Sequence, residues 1–150
     1  MRPVLFLRIA SVLTLIHAAL HTIGGVFGRA ASGVQQAAVS VMKADEFVAM
    51  GVMRSYWDFY RGLGLAVSVF LTVEAVVFWQ LGTLAKADAL RLRPLLTTFL
   101  VGYLGVAMIS YRYFFAGPVV TEILIALCLG LAIASAKRAA AGEVDPSAVA

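Results

Sequence analysis

The feature that most constrains this chain is a series of four apolar runs, at about residues 4–27, 56–81, 94–115 and 118–136, set apart by short polar stretches. A helix crossing the hydrocarbon core of a bilayer needs about 20 mainly apolar residues. Four such helices and their connections use nearly all of the 150 residues, which leaves one domain over residues 1–138 and no room for a second. Composition agrees: 62% of residues are hydrophobic and 13% charged, too apolar for a soluble domain of this length. The expected fold class is all-α, an integral membrane up-down four-helix bundle with a short extracytoplasmic amphipathic helix.

A formal charge of +4 raises the question of nucleic acid, but the basic residues flank the apolar runs instead of forming one patch. The partner they imply is the lipid bilayer, not nucleic acid. Arg2, Arg8, Lys86, Arg91, Arg93, Lys137 and Arg138 fall on one side of the membrane, and Arg29, Lys43 and Arg54 on the other. The richer set belongs in the cytoplasm. Both termini are therefore expected inside, in a multi-pass membrane protein. The first run exceeds the roughly 7 to 15 apolar residues of a secretory leader, so it is expected to be retained as a helix. Cys128 is the sole cysteine and lies in an apolar run, which removes any intramolecular disulfide.

Between the first two runs, residues 29–54 are too polar to span. Ser32 followed by Gln35 reads as a capping box, and Val34, Ala38, Val41, Val48 and Val52 recur near the helical period. A surface helix is expected over residues 33–53, either covering the mouth of the bundle or resting among headgroups. Gly24 and Gly28 have the spacing that lets another helix approach closely. Trp57 and Trp79 suit the two interfaces of the second span. A polar connection with Lys86, Asp88, Arg91 and Arg93 leads to Pro94 at the start of the third span, and Gly117-Pro118 reads as the turn before the fourth. Residues 139–150 read as a disordered cytoplasmic tail.

Depth along the helices selects the candidate site. At about 1.5 Å per residue, His21 lies about 9 Å inside the outer face, and Asp58, Arg61, Arg112 and Glu122 within about 3 to 8 Å. His17 shares the face of His21 one turn deeper, Trp57 adjoins Asp58, and Tyr111 adjoins Arg112. Ionisable groups in lipid are costly, so this layer is expected to face partners or a wet cavity. Two readings stay open. The layer is a polar pocket for a small lipophilic or amphipathic molecule, or it is an ion-pair lock in which Arg112 meets Asp58 or Glu122.

Sharper chemistries are less well supplied. His17 and His21 read His-Ala-Ala-Leu-His, without the glutamate of the zinc-protease motif, and no metal is expected. Two histidines on one helix face cannot both ligate a single haem. His21 with Asp58 or Glu122 has the makings of a proton relay. Glu74, deeper in the second span, is expected to pair with Arg8, with a proton path toward the layer of His17 as the alternative.

The blocks His21-Thr22-Ile23-Gly24, Ser55-Tyr56-Trp57-Asp58-Phe59-Tyr60 and Tyr111-Arg112-Tyr113-Phe114-Phe115 resemble an uncharacterised group of small bacterial four-helix membrane proteins. More distantly, the architecture is similar to the DoxX-like class, some members of which are associated with quinone-linked redox systems. That resemblance implies four spanning helices and assigns no catalytic residue. The leading functional expectation is a ligand-binding membrane protein with its site at His17, His21, Trp57, Asp58, Arg61, Tyr111, Arg112 and Glu122. The alternatives are an accessory subunit of a larger membrane complex or homo-oligomer, and a quinone- or metal-linked redox enzyme. No cofactor is specified.

Overall fold

The computed structural model describes residues 2–142, with side chains to residue 136. In chain order the elements are α1 (Arg2–Leu20), a π-helical segment (His21–Val26), α2 (Gly33–Ala44), β1 (Glu46–Ala49), β2 (Val52–Ser55), α3 (Tyr56–Asp88), α4 (Arg93–Tyr113) and α5 (Ala116–Gly142). Among the described residues, four helices are long and apolar enough to cross a membrane: Arg2–Val26, Tyr56–Asp88, Arg93–Tyr113 and Ala116–Ala136.

The chain divides into two compact units. The first comprises residues up to His17 together with those from Val73 onward; the second comprises Ala18–Thr72. In the first unit, one core takes Leu7 and Ala10 from α1, Phe78, Leu81 and Ala85 from α3, Leu96 and Tyr103 from α4, and Ile125, Ala126, Leu129 and Ala132 from α5. Cys128 is buried in the same cluster. The alanines matter because small residues let apolar helices approach closely. Gly82 serves the same end, since a Cβ there would lie 3.3 Å from Arg8 Nε. Phe78 meets Phe99 edge-on, with ring centroids 5.0 Å apart. Large apolar side chains such as Leu15, Phe70, Val73, Met108 and Leu127 point outward. So extensive an apolar exterior would be an aggregation liability in water.

In the second unit, Ser32 caps α2: its Oγ accepts from Gln35 N–H at 3.2 Å, while Gln35 Oε1 accepts from Ala31 N–H at 2.8 Å. No residue of α2 is buried. The surface helix expected over residues 33–53 stops at Ala44, and the remainder is an antiparallel hairpin pairing Glu46 with Ser55 and Ala49 with Val52. Its two-residue turn is Met50-Gly51, with φ of 51° and 86°. Positive φ at both central positions matches the right-handed twist of a hairpin, and the β-branched Val48 and Val52 favour strand over helix.

Other boundaries also move. α3 continues through the expected polar connection to Asp88, because Leu81 and Ala85 are buried on its inner face. Asp88 then closes the helix, with Oδ1 accepting from the Leu90 and Arg91 N–H groups at 3.1 and 3.2 Å. Gly117 and Pro118 lie inside the first turn of α5, where proline has no N–H to lose; the bend falls at Phe114–Phe115. α5 runs to Gly142, past the expected helix end at residue 136. The rest of the expected tail, 143–150, lies outside the described residues.

Candidate functional site

In the second unit, the sequence Ser55-Tyr56-Trp57-Asp58 folds as a capping box at the start of α3. Ser55 N–H and Oγ–H both donate to Asp58 Oδ2, at 2.9 and 3.0 Å, and Asp58 N–H donates back to Ser55 Oγ at 3.2 Å. Asp58 is thus occupied by the helix end. Arg61, one turn on, makes no ion pair with it among the described residues, and its guanidinium lies 5.0 Å from the centre of the Phe27 ring. Lys43 Nζ similarly lies 5.2 Å from the Trp57 ring, which stacks on Tyr60 at 5.4 Å. Phe47 of β1 packs on Tyr56 and Phe59, with centroids 5.0 and 5.7 Å away. The start of α3 therefore carries cations on aromatic faces, with its nearest carboxylate already engaged.

Beside this lies the π-helical segment, a distortion frequent at functional sites. Its first residue, His21, is partly buried, and its Nε2–H donates to the Gly64 carbonyl at 3.1 Å. The bond fixes the proton on Nε2. Thr22 Oγ1 donates to the Ala18 carbonyl at 2.7 Å and lies 2.8 Å from Ser68 Oγ, whose own proton goes to Gly64 O at 3.1 Å. Gly64 has to be small here: a Cβ would stand 2.9 Å from Val26 Cγ2. Gly64 and Ser68 were not singled out in the sequence, and Thr22 entered only through the resemblance of residues 21–24. The i,i+4 pair Gly64/Ser68 was the available signal, but small residues in apolar helices usually mean packing alone.

The remaining candidates belong to the first unit. Glu122 is 3% exposed; Ser110 Oγ–H donates to its Oε1 at 2.8 Å, and its Oε2 has no hydrogen-bond partner among the described residues. Arg112 is exposed and lies 5.3 Å from the Tyr113 ring. Among the described residues it makes no ion pair with Glu122, so that half of the expected lock does not form. The cause is reach: Ser110 shares the buried face of α4, whereas Arg112 is carried round to the outside. Tyr111 is exposed at the same helix end, and His17 is partly buried on α1.

The expected pair of Arg8 and Glu74 does not form either. Arg8 lies flat on Trp79, 3.5 Å from the ring centre, and donates from Nη2 to Thr83 Oγ1 at 2.9 Å. Glu74 instead accepts a hydrogen bond from Tyr103 at 3.0 Å. Trp79 and Thr83 lie about one and a half and two and a half turns beyond Glu74 on α3, and the cation–π contact there replaces the ion pair.

Among the described residues, no three of His, Cys, Asp and Glu are grouped to hold a metal ion. A shallow groove in the first unit is wholly apolar, lined by Leu100, Leu104, Ile123, Leu127 and Leu131 with Ala126 and Gly130. Comparison with protein families, curated proteins and solved structures gives no match.

Proposed function

We propose that this chain is a bacterial inner-membrane protein whose four spanning helices pack up-down with both termini in the cytoplasm, and that it binds an amphipathic molecule with an anionic head at the start of α3. One observation carries the binding reading: Asp58 is turned into the Ser55 cap, and Arg61 rests on Phe27 with no carboxylate paired to it among the described residues. A guanidinium at the end of an apolar helix attracts a phosphate or carboxylate, and its fork can take two oxygens at once. Lys43 over Trp57 adds a second cation, while Phe27, Phe47, Phe59 and Tyr60 offer apolar faces for the tail. The resemblance to small four-helix membrane proteins is consistent with this architecture and supplies no substrate.

The test is native mass spectrometry of protein purified in mild detergent. Wild type should retain an acidic lipid or other acidic amphiphile at fixed stoichiometry. Arg61→Gln, which removes a charge-assisted hydrogen bond, should lower its occupancy by about tenfold or more. Equal retention by Arg61→Gln would refute the assignment.

A further inference from the structure

Away from the start of α3, the first unit contains a second polar arrangement. Tyr103 O–H donates to Glu74 Oε2 at 3.0 Å, the Tyr103 and Thr14 hydroxyl oxygens are 3.4 Å apart, and Thr14 Oγ1–H donates to the Ala10 carbonyl at 2.8 Å. Thr14 and Tyr103 are buried, and Glu74 is partly buried. The three side chains come from three helices at one level. Thr14 is equidistant from the ends of Arg2–Val26, Tyr103 from the ends of Arg93–Tyr113, and Glu74 lies two residues from the centre of Tyr56–Asp88. Thr14 and Tyr103 are thus about 15 to 18 Å from either end of their helices, the middle of a hydrocarbon core about 30 Å thick.

Counting protons shows what this arrangement can do. A threonine and a tyrosine hydroxyl carry one proton each. With Glu74 ionised, Tyr103 gives its proton to Glu74 and Thr14 gives its own to Ala10 O, so the Thr14–Tyr103 contact contains no hydrogen. With a proton on Glu74, its Oε2–H donates to Tyr103, Tyr103 to Thr14 and Thr14 to Ala10 O. Every contact then holds one hydrogen.

We propose that Glu74 is a proton-exchange site at the middle of the membrane, with Tyr103 and Thr14 as positioning residues: when the carboxylate takes up a proton from water, the Glu74–Tyr103 hydrogen bond reverses direction and Tyr103 turns its own proton to Thr14. The proposal rests on reading these helices as membrane spans. One proton is gained, the carboxylate becomes a carboxylic acid, and no electron moves. A carboxyl at this depth with no lysine or arginine paired to it among the described residues is costly as a purely structural element, and a tyrosine able to donate or accept suits both of its states. Among the described residues, the ionisable groups on the elements packed around it are Arg2, Arg8 and His17 on α1, Tyr103 on α4, with Arg93, Tyr111, Arg112 and Tyr113 at that helix's ends, and Glu122 and Cys128 on α5. Arg8 is held at Trp79 and Thr83, and Glu122 at Ser110.

The experiment is a pH titration by infrared difference spectroscopy of the full chain in lipid vesicles. A carboxylic C=O band should grow on acidification, disappear in Glu74→Gln, persist in Glu122→Gln and move in frequency in Tyr103→Phe. A lipophilic carbodiimide should form an adduct on Glu74, found by peptide mass spectrometry, more slowly at alkaline pH. A band that survives Glu74→Gln, a Tyr103→Phe band that does not move, or the absence of both band and adduct would overturn the proposal. Alkaline carbonate washing of the same vesicles separates the two readings. Release of the protein would defeat the membrane assignment, whereas retention without a titrating band defeats the proton site alone.

Discussion

At the residue scale, the positions that organise this protein are often ones without a charge. Gly64 allows Val26 to close onto α3 and presents the carbonyl that receives both His21 and Ser68. Gly64→Ala should destabilise the protein by about 1 to 3 kcal/mol through overpacking, read as a lowered Tm in detergent. Val26→Ala in the same chain should recover part of that loss, because it removes the Cγ2 that the new methyl would strike. Ser55 and Asp58 make the complementary case. Ser55→Ala and Asp58→Asn should each cost about 1 kcal/mol, and the double variant clearly less than their sum, since both dismantle one capping box. Additive losses in thermal unfolding would mean that the two side chains act independently.

At the element scale, the hairpin between α2 and α3 departs furthest from a reading by periodicity. Its strands are four residues each, and its turn uses Met50 at φ 51°, a conformation that L residues with longer side chains adopt at a cost. Met50 is fully exposed, so its side chain does not contribute packing in return. Met50→Asn creates the Asn-Gly pair favoured in such turns and should stabilise the hairpin by about 0.5 to 1 kcal/mol. Slower amide exchange across Glu46–Ala49 and Val52–Ser55 would report the gain. The hairpin also explains how Phe47 reaches Tyr56 and Phe59, which a helix continued to residue 53 would not have placed in the same way.

At the scale of the whole molecule, four helices among the described residues have the length and apolarity to cross a bilayer. The proposed orientation gives a labelling prediction. In a Cys128→Ser background, a cysteine at position 43 should react with an impermeant maleimide added to intact cells. One at position 86 should react only after the membrane is opened. The reverse pattern would invert the topology and place the cationic start of α3 in the cytoplasm, where its ligand would have to be a different molecule.

The sequence by itself determined the four apolar helices and roughly where each begins, because a run of about 20 apolar residues has few alternatives to a membrane helix and because Ser32 and Pro94 mark helix starts through local chemistry. It also drew attention to Asp58, Arg61, Glu74 and Glu122, since charge in an apolar run stands out on composition alone. The partners of those groups were decided by the tertiary structure. Glu74 meets Tyr103 and not Arg8, and Glu122 meets Ser110 and not Arg112, whereas Asp58 turns back onto Ser55 three residues away in a local cap. The physical reason is that depth along a helix can be counted from a sequence, whereas rotation about its axis follows from how neighbouring side chains pack. A difference of two residues on α4, from Ser110 to Arg112, carries a side chain from the buried face to the outside.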